Sequence, residues 1–103
     1  MKTKWKPIAI NGRRRIAAYI LDRFGESSKA DFMTEIRETI DLLKINPFMA
    51  AIDPLFDDRA HTYRSVIINH RSKMVYYIEN NVIQIAGFWD CRQDPEAQAK
   101  QLE

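Results

Sequence analysis

The chain has little of several residue types and patterns, and each absence narrows its class. Of 103 residues only Cys91 is a cysteine, so no disulfide can form within the chain, as is usual in a reducing cytoplasm. No apolar run approaches the roughly 20 residues that a membrane span needs. The basic N-terminus lacks the apolar segment of a secretory signal. We therefore expect one cytoplasmic domain over residues 1–103, without a membrane partner.

The chain also lacks the patterns of several enzyme classes. Its three glycines are isolated, which excludes a glycine-rich phosphate loop, and no serine lies in a nucleophile elbow. His61, His70 and Cys91 do not have the spacing of zinc ligands. The sequence thus predicts no metal site and no cofactor.

Charge is unevenly distributed along the chain, although the net charge is only +2. Residues 1–15 and 59–73 contain basic residues and no acid, whereas residues 22–58 contain nine acids and four bases. Such blocks indicate either a one-sided field that attracts a polyanion or an acidic protein, or an ordinary mixed surface.

The first half of the chain has helical periodicity. A first helix ends at Gly25, which favours termination, and Asn11-Gly12 predicts that its start is irregular or lies later. A second helix lies within residues 26–47, with Ser27 or Ser28 as its cap and Pro47 after its end. The short turn between the two helices predicts an antiparallel hairpin.

The second half of the chain is strand-forming. The predicted strands cover residues 3–9, 62–69, 73–79 and 82–90. Between them we expect a loop at 47–61, with or without one helical turn, and after them a short polar helix or frayed tail at 96–103. Asn80-Asn81 suits a tight hairpin because asparagine tolerates the left-handed conformation. The predicted fold class is α+β: an antiparallel sheet of about four strands packed on an N-terminal helical hairpin, in the order β-α-α-β-β-β. The other face of the sheet meets solvent or a partner.

Three cations fall on the predicted sheet. Arg64 lies in the second strand, Lys73 begins the third, and Arg92 follows the fourth. Since neighbouring strands are about 4.8 Å apart, these side chains can converge and stabilise a phosphodiester under attack without a metal. The candidates for a proton acceptor are His70, Asp90 and Asp94, and no pattern selects one. Alternatively, Arg64 and Arg92 form surface ion pairs without a catalytic role.

The order of these motifs resembles the RelE/ParE superfamily of small bacterial toxins. The stretch "YRSVIINHRSKMVYYIENNVIQIAGFWDCRQDP" is similar to the C-terminal half of that superfamily, "WKPIAI" to its opening strand-to-helix junction, and "IDLLKINP" to the end of its helix pair. The resemblance covers residues 3–96. It implies the β-α-α-β-β-β fold, the toxin half of a type II toxin–antitoxin module, and a cognate antitoxin, often acidic, as partner.

The resemblance implies two mechanisms. One branch cuts messenger RNA in the ribosome by 2′-hydroxyl attack, and its cations map onto Arg64, Lys73 and Arg92; here lysine replaces the usual arginine, and Gln98 replaces a frequent tyrosine. The ParE-like branch inhibits DNA gyrase and needs no catalytic constellation. The "CRQDP" end and the "NP" helix exit resemble the ParE-like branch, which we favour. The alternatives are the nuclease and a degenerate, non-toxic member. The resemblance also implies a homodimer or a toxin–antitoxin hetero-oligomer.

Overall fold

The computed structural model describes residues 1–102, so Glu103, the end of the predicted tail, lies outside them. Within these residues the elements are β1 (Lys2–Trp5), α1 (Pro7–Phe24), α2 (Glu26–Ile45), β2 (Ala51–Ile52), a 3₁₀ turn (Pro54–Phe56), β3 (Arg64–Ile68), β4 (Ser72–Glu79), β5 (Val82–Asp90) and α3 (Pro95–Gln101). The tail therefore forms a short helix. No helix in the described part is long and apolar enough to cross a membrane.

The strands of residues 1–102 form one sheet in the order β1-β5-β4-β3-β2, in which β1 and β5 are parallel and the other pairs antiparallel. The predicted α+β class and the addition of the first strand to the meander are confirmed. The sheet has five strands rather than about four, because Ala51–Ile52, inside the predicted loop, pairs with β3. That residues 1–103 form a single domain stays a prediction.

The two helices begin and end differently from the prediction in two places. α1 continues through Asn11-Gly12, and Gly12 is buried so closely against β5 that a Cβ there would overlap the carbonyl oxygen of Phe88. Gly25 ends α1 as predicted, with a φ of 94° that favours glycine. The serine cap is wrong: α2 begins at Glu26 directly after Gly25, and Ser28 Oγ donates instead to the Phe24 carbonyl at 3.4 Å.

Two tight turns join the strands of the meander. Asn80 and Asn81 have φ values of 53° and 61°, which confirms the predicted hairpin turn between β4 and β5. Asn69 and His70 adopt the same left-handed conformation, with φ of 54° and 60°, between β3 and β4. Ser72 then pairs with Asp90, so the turn at residues 69–71 lies beside the end of β5.

The sheet is covered on both faces, unlike the prediction that one face meets only solvent or a partner. The face toward α1 and α2 carries the main core, which includes Phe32, Ile36 and Tyr76. The opposite face carries a second core of six buried side chains: Phe56, Tyr63, Val75, Tyr77, Ala86 and Trp89. Leu55 from the 3₁₀ turn and Leu102, just after α3, pack against it. The chain covers this face with its own short elements.

Candidate functional site

Arg64 lies on the face of the sheet that packs against the helices. Its register partner in β4 is Tyr76, whose ring belongs to the main core. Nη1 of Arg64 donates to the carbonyl oxygens of Ala50 at 2.8 Å and Phe48 at 3.3 Å, and the guanidinium lies 5.2 Å from the centre of the Phe48 ring. These contacts of Arg64 hold the segment between α2 and β2, where an ion pair across the sheet was the alternative expectation.

Lys73 lies on the opposite face. Its register partner Trp89 belongs to the second core. Lys73 Nζ donates to Asp53 Oδ2 at 2.9 Å and lies 5.4 Å from the centre of the Phe56 ring. Burial raises the pKa of Asp53, but hydrogen bonds from Ser65 and Lys73 and the backbone outweigh it and leave that pKa below its ordinary value. Lys73 is thus held in a largely buried ion pair.

The predicted convergence of the cations is wrong for Arg64 and Lys73. Successive residues of a strand point to opposite faces of the sheet. The register places Arg64 with Tyr76 on the helix face and Lys73 with Trp89 on the other, so the sheet itself separates the two cations.

Arg92 follows β5 and pairs with Asp90, which was the second interpretation of this residue. Its Nη2 donates to Asp90 Oδ2 at 3.0 Å, and its Nε and backbone N–H both donate to Oδ1, at 3.2 and 2.8 Å. These hydrogen bonds lower the pKa of Asp90, against a smaller opposite effect of burial. The Asp90 carboxylate first, and the Tyr19 hydroxyl second, raise the pKa of Arg92. Its side chain is still 67% exposed.

The three candidates for a proton acceptor occupy different surroundings. His70 lies in the β3–β4 turn and lines the same cleft as Asp90. Asp90 forms an ion pair with Arg92. Asp94 instead caps α3, because its carboxylate accepts a hydrogen bond from the Glu96 backbone N–H at 3.1 Å. The structure therefore brings His70, Asp90 and Arg92 to one end of the sheet. Lys73 is at the same end but on the opposite face, and Arg64 lies farther along the sheet.

Two adjoining clefts lie at that end, between α1 and the ends of the central strands. The larger, of about 330 Å³, is lined by Ile16, Tyr19, Ile20, Phe24, Ser28, Asp31, Asn69, His70, Arg71, Ser72 and Asp90. The smaller, of about 200 Å³, is lined by Gly12, Arg15, Ile16, Tyr19, Phe88, Trp89, Asp90 and Gln93. They share Ile16, Tyr19 and Asp90, and we call them together the strand-end groove.

Four arginines border this groove, and only Arg92 was a candidate from the sequence. Arg15 lines the smaller cleft, Arg23 lies 5.4 Å from the Tyr19 ring centre, and Arg71 lies 5.8 Å from that of Phe24. The spacing of Arg15, Tyr19 and Arg23, four residues apart, predicts one helix face and was a usable signal. Arg71 gave no such signal, because its position depends on the pairing of β4 with β5.

Cys91 lies next to Arg92, but its surroundings do not activate it. Burial first, and the Asp90 carboxylate second, raise the pKa of this thiol, and Lys73 opposes them only in part. The raised pKa favours the protonated thiol near neutral pH. Within residues 1–102, no group of three His, Cys, Asp or Glu side chains is arranged to hold a metal ion.

The family model of the ParE toxin of the type II toxin–antitoxin system parDE matches residues 3–95 of this chain. No curated protein sequence matches it. The fold is similar to that in the structure of the chromosomal ParDE system from P. aeruginosa, with a TM-score of 0.69, 16% identity, and coverage of 87% of this chain and 95% of that one. It is also similar to the YoeB dimer from Staphylococcus aureus, with a TM-score of 0.57, 21% identity, and coverage of 84% and 92%.

These two structural likenesses concern the fold alone, because both identities are low. The family match covers nearly the whole chain and confirms the resemblance that the motif order indicated. The chain therefore belongs to the ParE toxin family of type II toxin–antitoxin systems.

Proposed function

We propose that this toxin inhibits growth by binding DNA gyrase and that a cognate antitoxin neutralises it. The observation that carries this choice over messenger RNA cleavage is the separation of the candidate cations. A phosphodiester under attack needs its cations within hydrogen-bonding distance of one phosphate. Arg64 and Lys73 project from opposite faces of the sheet, and each already has partners within the chain.

The surroundings of Arg92 also suit binding better than chemistry. The guanidinium of Arg92 is exposed. The carboxylate of Asp90 is a weak base, because the hydrogen bonds that it accepts from Arg92 lower its pKa. A general base works best with a pKa near the working pH. An exposed arginine on a fixed strand end instead suits a contact with a target protein.

A supercoiling assay and transcript-end mapping together test this proposal. The purified protein should reduce supercoiling of relaxed plasmid by gyrase in a concentration-dependent way, and induced cells should show no new ends in translated messages. Arg92→Ala should lose the effect, whereas Arg14→Ala, a change at another exposed arginine, should retain it. New cuts in translated messages together with undisturbed supercoiling would reverse the choice in favour of the nuclease.

The proposed antitoxin has its own test. A small reading frame next to this gene should encode a protein that restores growth when both are expressed and that elutes with the toxin in size-exclusion chromatography. The same chromatogram distinguishes a toxin homodimer from a toxin–antitoxin hetero-oligomer. If growth stays inhibited when the toxin is co-expressed with each neighbouring reading frame in turn, the proposed toxin–antitoxin module is contradicted.

A further inference from the structure

Five large apolar side chains are exposed together where α2 ends and β2 begins. Their exposed fractions lie between 45% and 83%, and Ile45, the last residue of α2, is the most exposed. We call these five side chains the helix-exit patch: Leu42, Ile45, Phe48, Met49 and Ile52. A cluster of this kind calls for a partner, because water is a poor environment for contiguous apolar surface.

The helix-exit patch is one continuous surface. Leu42 and Ile45 are three residues apart in the last turn of α2, which places them side by side on the helix. Arg64 donates to the Phe48 carbonyl, and its guanidinium lies 5.2 Å from the centre of the Phe48 ring. Ile52 is the register partner of Arg64 and shares its face of the sheet. The patch therefore runs from the end of α2 to the outer edge of the sheet.

The apolar area of the helix-exit patch matches the requirement of a protein dimer. A fully exposed large side chain presents roughly 150 Å² or more, so the five together expose on the order of 500 Å². A standard interface buries about 800 Å² from each partner, and in homodimers about 65% of that area is apolar, which is about 500 Å². The patch alone can supply the apolar part of such an interface.

The charge pattern of the helix-exit patch favours a second copy of this chain as its partner. From residue 42 to residue 52 the only ionisable side chain is Lys44, and the N-terminal ammonium donates to the Lys44 carbonyl beside the patch. At a two-fold axis a surface meets its own copy, so a patch dense in charge of one sign would repel itself. A partner recognised by charge would need complementary groups on this surface, which are few. A nearly uncharged patch suits contact with itself.

β2 gives the same partner a backbone contact. It ends the strand order of the sheet in residues 1–102, and both of its residues, Ala51 and Ile52, are exposed. The outer N–H and C=O groups of an edge strand can pair with another strand. A two-fold axis brings an edge strand antiparallel to its own copy, so apolar side chains and backbone groups can be satisfied in one symmetric contact.

We propose that the helix-exit patch is the interface of a symmetric homodimer, in which the patch of one copy packs against the same patch of a second copy. Ile45 and Phe48, the two most exposed of the five side chains, become buried in this contact. The 20 residues of α2 span about 30 Å, and the strand-end groove meets α2 at Ser28, near its other end. The dimer therefore leaves the groove and Arg92 accessible and presents two copies of each. This inference does not rest on the proposed function.

Sedimentation velocity of the purified full-length protein, from about 1 to 100 μM, tests this interface. The variants are Ile45→Lys and Phe48→Lys, which place a charge inside the patch. Phe24→Lys is the matched control, because Phe24, like Ile45, is an exposed apolar residue at the last position of a helix. Lysine is favourable near the C-terminus of a helix, so Ile45→Lys and the control should fold. Thermal melting verifies the folding of each variant.

We expect the unmodified protein to sediment with twice the monomer mass at the upper end of this range. Ile45→Lys and Phe48→Lys should each raise the Kd of the dimer by about tenfold or more, and Phe24→Lys by less than about twofold. Added salt should not dissociate the dimer, because the contact is apolar.

Three results would overturn the inference. The first is a protein that stays monomeric at about 100 μM. The second is a dimer that Phe24→Lys dissociates as strongly as Ile45→Lys, because the contact would then include the strand-end groove. The third is a dimer that salt dissociates, since its contact would lie on charged surface. The assay contains neither gyrase nor antitoxin, so a failed supercoiling test leaves it unaffected.

Discussion

Gly12 is the position at which local and tertiary preferences make opposite predictions. It lies inside α1, where alanine is more favourable than glycine by about 0.8–1.0 kcal/mol. Helix propensity alone therefore predicts that Gly12→Ala stabilises the protein. In the fold, however, a Cβ at this position would overlap the carbonyl oxygen of Phe88 and lie 3.3 Å from its Cβ. Because the obstacle is the backbone of β5, an inner strand of the sheet, it cannot be removed by rotating a side chain.

The net effect of Gly12→Ala can be bounded from these two terms. Forcing an extra carbon into a packed interior costs about 1–3 kcal/mol, toward the upper end where backbone must move. After subtraction of the gain in helix propensity, we expect a loss of about 1–2 kcal/mol. For a chain of 103 residues this corresponds to a decrease in Tm of about 4–10 °C.

Thermal melting followed by circular dichroism measures this difference, with Asn11→Ala as the control. Asn11 is the exposed neighbour of Gly12 in the same helix, so alanine there should raise stability slightly, by about 0.5 kcal/mol. If Gly12→Ala raises Tm as Asn11→Ala does, α1 does not pack this closely on β5. The described geometry of the strand-end groove, which lies between α1 and β5, would then be wrong as well.

The remaining predictions concern three polar side chains. Arg92→Ala should abolish growth inhibition while Tm stays within a few degrees, since the side chain is exposed; a large loss of Tm with retained toxicity would make Arg92 structural. The pKa of Asp53 is lowered, so this carboxylate stabilises the fold above its ordinary pKa of 3.8 and the contribution disappears as pH falls through the folded pKa. Asp53→Asn should therefore reduce the loss of stability that urea unfolding measures below about pH 4. Alkylation of Cys91 by iodoacetamide should be slow at neutral pH and should still be increasing with pH at pH 9, because the thiolate is the nucleophile and its pKa is raised; fast alkylation at pH 7 would contradict the raised pKa.

The amino-acid sequence predicted the three long strands nearly to the residue. β-Branched and aromatic runs bounded by turn residues identify strands through local chemistry. The Asn80-Asn81 turn was predicted for the same reason, since it depends on which residues tolerate a left-handed backbone. The two-residue strand Ala51–Ile52 was missed, because so short a segment has no period of its own and exists only through its pairing with β3.

At two places in α1 the tertiary structure overrides what local sequence preferences predict. Asn11-Gly12 is unfavourable in an isolated helix, and it is helical here because α1 packs against β5 closely enough to require the missing side chain of Gly12. Similarly, Phe24 completes the apolar stripe of α1 by spacing, yet it is 56% exposed, because the helix extends beyond the edge of the main core.

The sequence by itself determined the fold class, the order of most elements and the family, because these depend on periodicity, turn residues and motif order along the chain. Only the tertiary structure decided which cations share a site. A shift of one residue moves a strand side chain to the other face, so the register alone separates Arg64 from Lys73. The same pairing brings Arg71 and Arg92 together beside α1, from turns that lie far apart in the chain.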